Sequence, residues 1–173
     1  GVDGLVSCWG NGELGQLGHG RSDSSFERAV PVIGLAGVVS LSAGANHTCA
    51  LLADARVACW GEQEGGFGDG SGDPSSLPVE VRAFRGARAV AAGDRMTCAV
   101  MPNGTVSCSG AALFESHERL AARTAGRGLG ARTISGLTDP VAVAVGNALA
   151  CAIVADGRVS CWGPTPGRAT TDA

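Results

Sequence analysis

No lysine and no tyrosine occur in the 173 residues. The 13 basic side chains are all arginines and face 16 carboxylates, for a net charge of −3. Without a basic excess the chain does not read as a nucleic-acid binder or as a protein held on an anionic membrane. Aromatic residues are scarce, with four Phe and three Trp, so a core has to be built from Val, Leu, Ala and Cys. Long apolar runs are also missing. Each is broken by Gly or a polar residue well short of a spanning helix, and no membrane insertion is expected. Neither a Cys-x-x-Cys pair nor a Cys/His cluster with ligand spacing is present, which weighs against zinc. No signal peptide is visible, but a chain that starts inside a turn has no place to show one.

What is abundant is glycine, at 28 residues, together with seven cysteines. Both belong to a repeated stretch. Thr48-Cys-Ala-Leu-Leu-Ala-Asp-Ala-Arg-Val-Ala-Cys-Trp-Gly61 recurs as Thr97 to Gly110 and as Ala150 to Gly163, and its second half opens the chain as Val2 to Gly10. In each copy two apolar runs flank Ala-Asp-Ala, Pro-Asn-Gly or Ala-Asp-Gly, which predicts two antiparallel strands joined by a three-residue turn. Ala55 stands where the other two copies have glycine, so that turn is expected to be the most strained.

With a three-residue loop Leu52 faces Arg56, and the same count sets Cys49 opposite Cys59, Cys98 opposite Cys108 and Cys151 opposite Cys161. Directly opposed residues of an antiparallel pair lie close enough for a disulfide. Three cross-strand bridges are therefore expected, with reduced thiols packed as small apolar residues as the alternative. Cys8 is left unpaired, its partner position falling before residue 1, so the native polypeptide is expected to continue upstream. Regularly paired cysteines point to an extracellular, periplasmic or cell-surface setting.

The Cys-Trp/Ser-Gly marks at Cys8, Cys59, Cys108 and Cys161 recur about every fifty residues, and such self-similarity takes precedence over a length-based domain count. Counted from these marks, residues 1–7 end one repeat, and 8–58, 59–107 and 108–160 are three more. The third has an irregular insert at 111–130, and 161–173 begin the next. Alternating or continuous apolar residues bounded by Gly and Pro indicate four short strands per repeat.

Cys8-Trp-Gly-Asn-Gly-Glu-Leu-Gly-Gln-Leu-Gly-His-Gly20, then Pro31-Val, then Gly44-Ala-Asn-His-Thr-Cys-Ala-Leu51, resembles one repeat of the RCC1 (regulator of chromosome condensation) family, in its cysteine-bearing bacterial form. The second repeat keeps Cys59-Trp-Gly61, Phe67-Gly-Asp-Gly70, Pro78-Val and Gly93-Asp-Arg-Met-Thr-Cys-Ala-Val100. The third keeps Ser107 to Gly110, Gly136-Leu, Val141 to Gly146 and Cys151 to Ile153. The resemblance implies an all-β fold, a segment of a β-propeller with three full blades' worth of repeats and the start of a fourth, each of four antiparallel strands. Three repeats do not close a ring of the usual seven blades. End blades exposing apolar surface are expected, and the rest of the same propeller is an expected partner.

Candidate chemical sites are few. Gly10-Asn-Gly-Glu-Leu-Gly15 satisfies a dinucleotide-binding string, but the chain continues as loop rather than as the helix such a site requires. Asp69-Gly-Ser-Gly-Asp73 with Glu80 imitates a calcium loop, yet Pro74 stands where glycine is needed. His47 aligns with Met96 and Leu149 and so reads as a packing position. Trp9, Trp60 and Trp162 align with Ser109 and are expected between blades. No cofactor, no metal and no catalytic residue is assigned. The insert departs from the family pattern; Phe114 to Ala125 has the look of a short helix stopped by Gly126. Phe114, His117, Arg119, Arg123 and Arg127 are accordingly the candidate interaction loop.

These readings point to a non-catalytic scaffold, exported or surface-displayed and disulfide-stapled, that binds a protein or glycan through blade loops. The alternative is guanine-nucleotide exchange on a small GTPase. It comes from the family resemblance alone, and none of its residues maps onto a position here.

Overall fold

A computed structural model describes residues 4–62, 67, 74–110, 130–147 and 149–163, and the backbone of 170–171. Strands β1 (Ser7–Gly10) and β2 (Ser25–Pro31) form a two-stranded sheet that leads the chain. Three antiparallel four-stranded sheets follow. The first holds β3 (Val38–Ala43), β4 (His47–Leu52), β5 (Val57–Gly61) and β6 (Ser75–Glu80) in chain order. The second holds β7 (Ala89–Ala92), β8 (Thr97–Val100), β9 (Val106–Ser109) and β10 (Arg132–Ile134). The third holds β11 (Pro140–Val145), β12 (Ala150–Val154), β13 (Val159–Trp162) and β14 (Thr170–Thr171). Among the described residues the helical structure is one 3-10 turn, Arg82–Phe84. The helix expected in the insert and most of the calcium-like loop lie outside the described residues.

The central hairpins β4–β5, β8–β9 and β12–β13 share one turn. Ala55, Gly104 and Gly157 donate their amides back to Leu52, Met101 and Val154 at 2.9, 3.1 and 2.9 Å. The side chain of Asp54, Asn103 or Asp156 accepts the amide of the residue two further on, the local bonding that makes Asx residues turn formers. The third turn residue is left-handed in all three, with φ of 63° at Ala55, 76° at Gly104 and 87° at Gly157. Ala55 thus carries the strain that its sister turns avoid with glycine. This turn sets Cys49 opposite Cys59, Cys98 opposite Cys108 and Cys151 opposite Cys161. The structure joins each pair in a disulfide, with Cα atoms 4.1, 4.0 and 4.0 Å apart.

Side chains alternate across every strand, so each sheet has two unlike faces. One carries the cysteines. Cys49, Leu51, Val57 and Cys59 of the first sheet pack on Val90, Ala92 and Ala99 of the second. Cys98, Val100, Val106 and Cys108 of the second pack on Ala150, Ala152 and Trp162 of the third. The opposite face carries the tryptophan position: Trp60, Ala50 and Leu52 pack on Val6, Val32 and Leu35 beside the leading sheet. With each buried Val or Leu worth about 1.5–3 kcal/mol, these inter-sheet layers are the core. A unit counted from one Cys-Trp-Gly mark to the next therefore gives its first half to one sheet and its second half to the following sheet.

The two ends of the stack expose apolar side chains. Trp9 is 69% exposed, unlike buried Trp60 and Trp162, because it lies on the face of the leading sheet that no described strand covers. At the other end Val141, Leu149, Ile153 and Val159 are exposed on the third sheet.

Candidate functional site

Three local arrangements hold the sheets in register, and they account for most residues that sequence reading flagged as chemical. The first is a column of glycines at the β3–β4, β7–β8 and β11–β12 turns. Gly44, Gly93 and Gly146 each donate an amide across their own turn, to the carbonyls of His47, Met96 and Leu149 at 2.8, 2.9 and 2.7 Å. The next residue then reaches the neighbouring sheet: Ala45 donates to the Gly93 carbonyl and Asp94 to the Gly146 carbonyl, both at 3.1 Å. A Cβ on Gly44 would stand 2.0 Å from the Gly93 carbonyl oxygen, and one on Gly93 would stand 2.1 Å from that of Gly146. Only glycine permits this approach.

The second arrangement is the glycine-rich loop of residues 10–20. Its amides form successive tight turns, Gly15 to the Gly12 carbonyl and Gly18 to the Gly15 carbonyl, and no helix follows. It does not offer a helix N-terminus to a pyrophosphate. Instead the Gln16 carbonyl accepts the indole Nε1–H of Trp60 at 2.9 Å and the hydroxyl of Thr48 at 3.2 Å. Where the second four-stranded sheet has Ser109 in the tryptophan position, its hydroxyl donates to the Phe67 carbonyl at 2.9 Å. The Phe67 ring, itself buried, supplies aromatic volume there. Sequence reading missed this exchange of Trp for Ser plus Phe; the Phe in an otherwise small-residue loop was the available signal.

The third arrangement is a histidine–hydroxyl pair. His47 Nε2 and Thr97 Oγ1 hydrogen-bond at 2.7 Å between the first and second sheets, with the Phe67 ring 5.8 Å from the imidazole. In isolation this resembles a base beside a nucleophile. However, His47 is 1% and Thr97 0% exposed, so no substrate reaches the pair, and Nδ1 has no partner to orient it. The pair is an inter-sheet contact.

Burial holds the His47 imidazole neutral down to about pH 4, whereas in the unfolded chain it takes up a proton near 6.5. The unfolded state is thus protonated first on acidification. Stability is complete above about pH 6.5, declines between there and about pH 4, and levels below it. The expected loss is on the order of 3 kcal/mol, and it is absent in His47→Met, which copies the residue at Met96. Urea unfolding at pH 7 and pH 4.5 measures the difference.

Several surface charges are locally paired. Glu80, the last position of the calcium-like string, accepts Arg85 and lies 3.8 Å from Arg56. Hydrogen bonding from Arg56 holds the Asp54 carboxyl below its usual range, and the Arg158 amide and guanidinium do the same for Asp156. Among the described residues no three His, Cys, Asp or Glu side chains converge to hold a metal ion, and no helix is long and apolar enough to cross a membrane. The candidate loop residues Phe114, His117, Arg119, Arg123 and Arg127 lie outside the described residues.

Two openings are lined by described residues. Asn46, Glu62, Asp94 and Arg95 surround a polar cavity of about 300 Å³ at the turns of the first and second sheets. A larger groove of about 350 Å³ runs between β1 and the β3–β4 hairpin.

The Regulator of chromosome condensation (RCC1) repeat profile matches residues 3–51, and a second profile of the same description matches 38–68. The chain is 35% identical over 86 residues to the Ultraviolet-B receptor UVR8 of Arabidopsis thaliana, covering 48% of this chain and 19% of the receptor. It is 36% identical over 88 residues to the E3 ubiquitin-protein ligase HERC2 of Homo sapiens, covering 49% of this chain and 2% of the ligase. The chain therefore spans a small part of these relatives. Prp20p from Saccharomyces cerevisiae superposes with a TM-score of 0.73 at 22% identity, over 94% of this chain and 42% of Prp20p. Residues 3–68 thus match RCC1 repeat sequence, and by the stacking of its antiparallel sheets the chain is built as an RCC1-like β-propeller segment.

Proposed function

We propose that the chain is a non-catalytic interaction scaffold, exported or surface-displayed, whose disulfide-held sheets present loops to a protein partner. The observation that carries this reading is the fate of its reactive side chains. The one base–hydroxyl pair among the described residues with hydrogen-bond geometry is sealed between two sheets. Polar side chains from two successive sheets instead gather at the opening formed by Asn46, Glu62, Asp94 and Arg95. Loops carried on a rigid scaffold commonly hold function. Phe114, His117, Arg119, Arg123 and Arg127 of the 111–130 insert are further candidates for contact with the partner. Prp20p is described with binding properties to Gsp1p and histones, which supports a protein ahead of a glycan as the partner. Three cysteine pairs, four of whose members are fully buried, support an oxidising setting.

The test is affinity capture with the non-reduced chain, compared with Glu62→Ala/Asp94→Ala and with a variant carrying Ser at 119, 123 and 127 in place of Arg. A protein retained by the native chain and lost from at least one variant is expected. Free thiols at all six paired positions in the native source, together with no retained protein, would overturn the proposal.

A further inference from the structure

Among the described residues, two that are not glycine have a left-handed backbone: Ala55 with φ of 63° and Asp139 with φ of 45°. Ala55 is the last residue of its hairpin turn. Asp139 lies between the second and third sheets, immediately before β11. Its place is one that glycine fills in the first sheet. There the Ala53 amide donates to the carbonyl of Gly37, whose φ is 68°, and the Ala155 amide donates to the Asp139 carbonyl in the same way, both at 2.9 Å. Asp139 is strained twice over, by its own Cβ and by the following Pro140, whose ring drives the preceding residue toward extended backbone. Such strain persists only where the surrounding structure holds it, and it collects at reactive sites. The Asp–Pro link is also the peptide bond most readily broken by its own side chain, because the carboxylate closes a cyclic anhydride and the tertiary proline nitrogen leaves easily.

We propose that Asp139–Pro140 is a self-cleavage site, at which the folded chain severs its own backbone in mild acid and so unlinks the second sheet from the third. The exposed Asp139 carboxylate attacks the carbonyl carbon of its own residue. Negative charge develops on the carbonyl oxygen, where the Ala155 N–H already donates, the placement of an oxyanion donor. The bond from that carbon to the Pro140 nitrogen then breaks, and the nitrogen takes a proton from solvent. Water opens the resulting anhydride, leaving aspartic acid as a new C-terminus at 139 and a secondary amine at Pro140. The net change is the addition of one water, and the strain at Asp139 is released with the bond.

The charged side chains on the adjoining turns are engaged elsewhere. On the β12–β13 turn Arg158 bonds Asp156, and Arg88 donates to the Pro102 carbonyl beside the β8–β9 turn. A Cβ on Gly104 would stand 3.3 Å from Asp139 Oδ1, so the carboxylate lies next to that uncharged turn. None of the three disulfides spans residue 139. After the cut the third sheet is held only by its packing, β11 on β7 and β8, and the two pieces part without reductant once that layer opens.

The chain carries its own reference, because Asp73–Pro74 is its one other Asp–Pro bond. The full chain is held near pH 5, with circular dichroism confirming the fold, and non-reduced fragments are quantified by mass. Fragments 1–139 and 140–173 are expected about tenfold over those from a cut after Asp73, whereas in guanidinium at the same pH the two bonds should break equally. Ala155→Pro copies Pro102 at the matching turn position, so it keeps the hairpin and removes the N–H; its cut at 139 should slow by at least about tenfold. Asp139→Gly restores the residue found at Gly37 and should leave that bond whole while the cut after Asp73 continues. Equal cutting at the two bonds in the folded chain, an unchanged rate in Ala155→Pro, or any cut at 139 in Asp139→Gly would overturn the proposal.

Discussion

Gly93→Ala is expected to lower stability by on the order of 3 kcal/mol, about 10 °C in midpoint at this chain length. The new methyl would lie 2.1 Å from the Gly146 carbonyl oxygen and 2.5 Å from Val145 Cγ1. The first of these is backbone, fixed by its place in the third sheet, so rotating a side chain gives no relief. The second and third sheets have to separate, which breaks the hydrogen bond from the Asp94 amide to Gly146. Hydrogen exchange should show the Asp94 amide losing protection while that of Ala45, bonded to the Gly93 carbonyl, keeps most of it. Gly146→Ala is the internal control. Its nearest contact would be 3.6 Å, and it should change stability by less than about 0.5 kcal/mol. An equal effect from both substitutions would show that the close approach is not what selects glycine.

Removing the Cys98–Cys108 bridge with alanine at both positions should cost about 3 kcal/mol through the freed unfolded chain. A further loss follows from the emptied volume, because both side chains are fully buried in the layer shared with the third sheet. Removal of Cys151–Cys161 should cost less. Its two cysteines are half-buried on a face that no described strand covers, so less packing is forfeited. The same difference orders reductant attack. Cys151–Cys161 should open first under mild reductant, followed by the two sealed bridges as the sheets loosen. Timed alkylation with peptide mapping reads the order, and simultaneous opening of all three would show that access does not control it.

The hairpins were legible because everything that fixes them is local. An Asp or Asn at the middle of the turn and a left-handed residue at its end determine the register, and the strain at Ala55 follows from the same count. The inter-sheet contacts were not legible. Gly44 and Gly93 look like ordinary turn glycines until two sheets are brought together, since the atoms that exclude a Cβ lie about fifty residues away in sequence. The Gln16 carbonyl that receives Trp60 and Thr48 is backbone, which carries no residue-type signal. His47 was correctly placed as a packing residue by comparison with Met96, but the same comparison concealed its hydrogen bond to Thr97, which Met96 cannot make. The Cys-Trp-Gly marks were legible as lying within a strand pair, because the count that opposes Cys49 to Cys59 puts the mark on the second strand of its hairpin. Trp9 showed the limit of alignment: it shares its residue type with Trp60 and Trp162 but not their burial.

Because every repeat straddles two sheets whose faces are unlike, the array can be cut and rejoined at any phase of its period and still yield whole sheets. A gene segment one repeat long, duplicated or deleted by unequal recombination, leaves each junction with a cysteine-bearing face meeting a tryptophan-bearing one. Such a chain can change length across generations without first passing through a misfolded intermediate sequence.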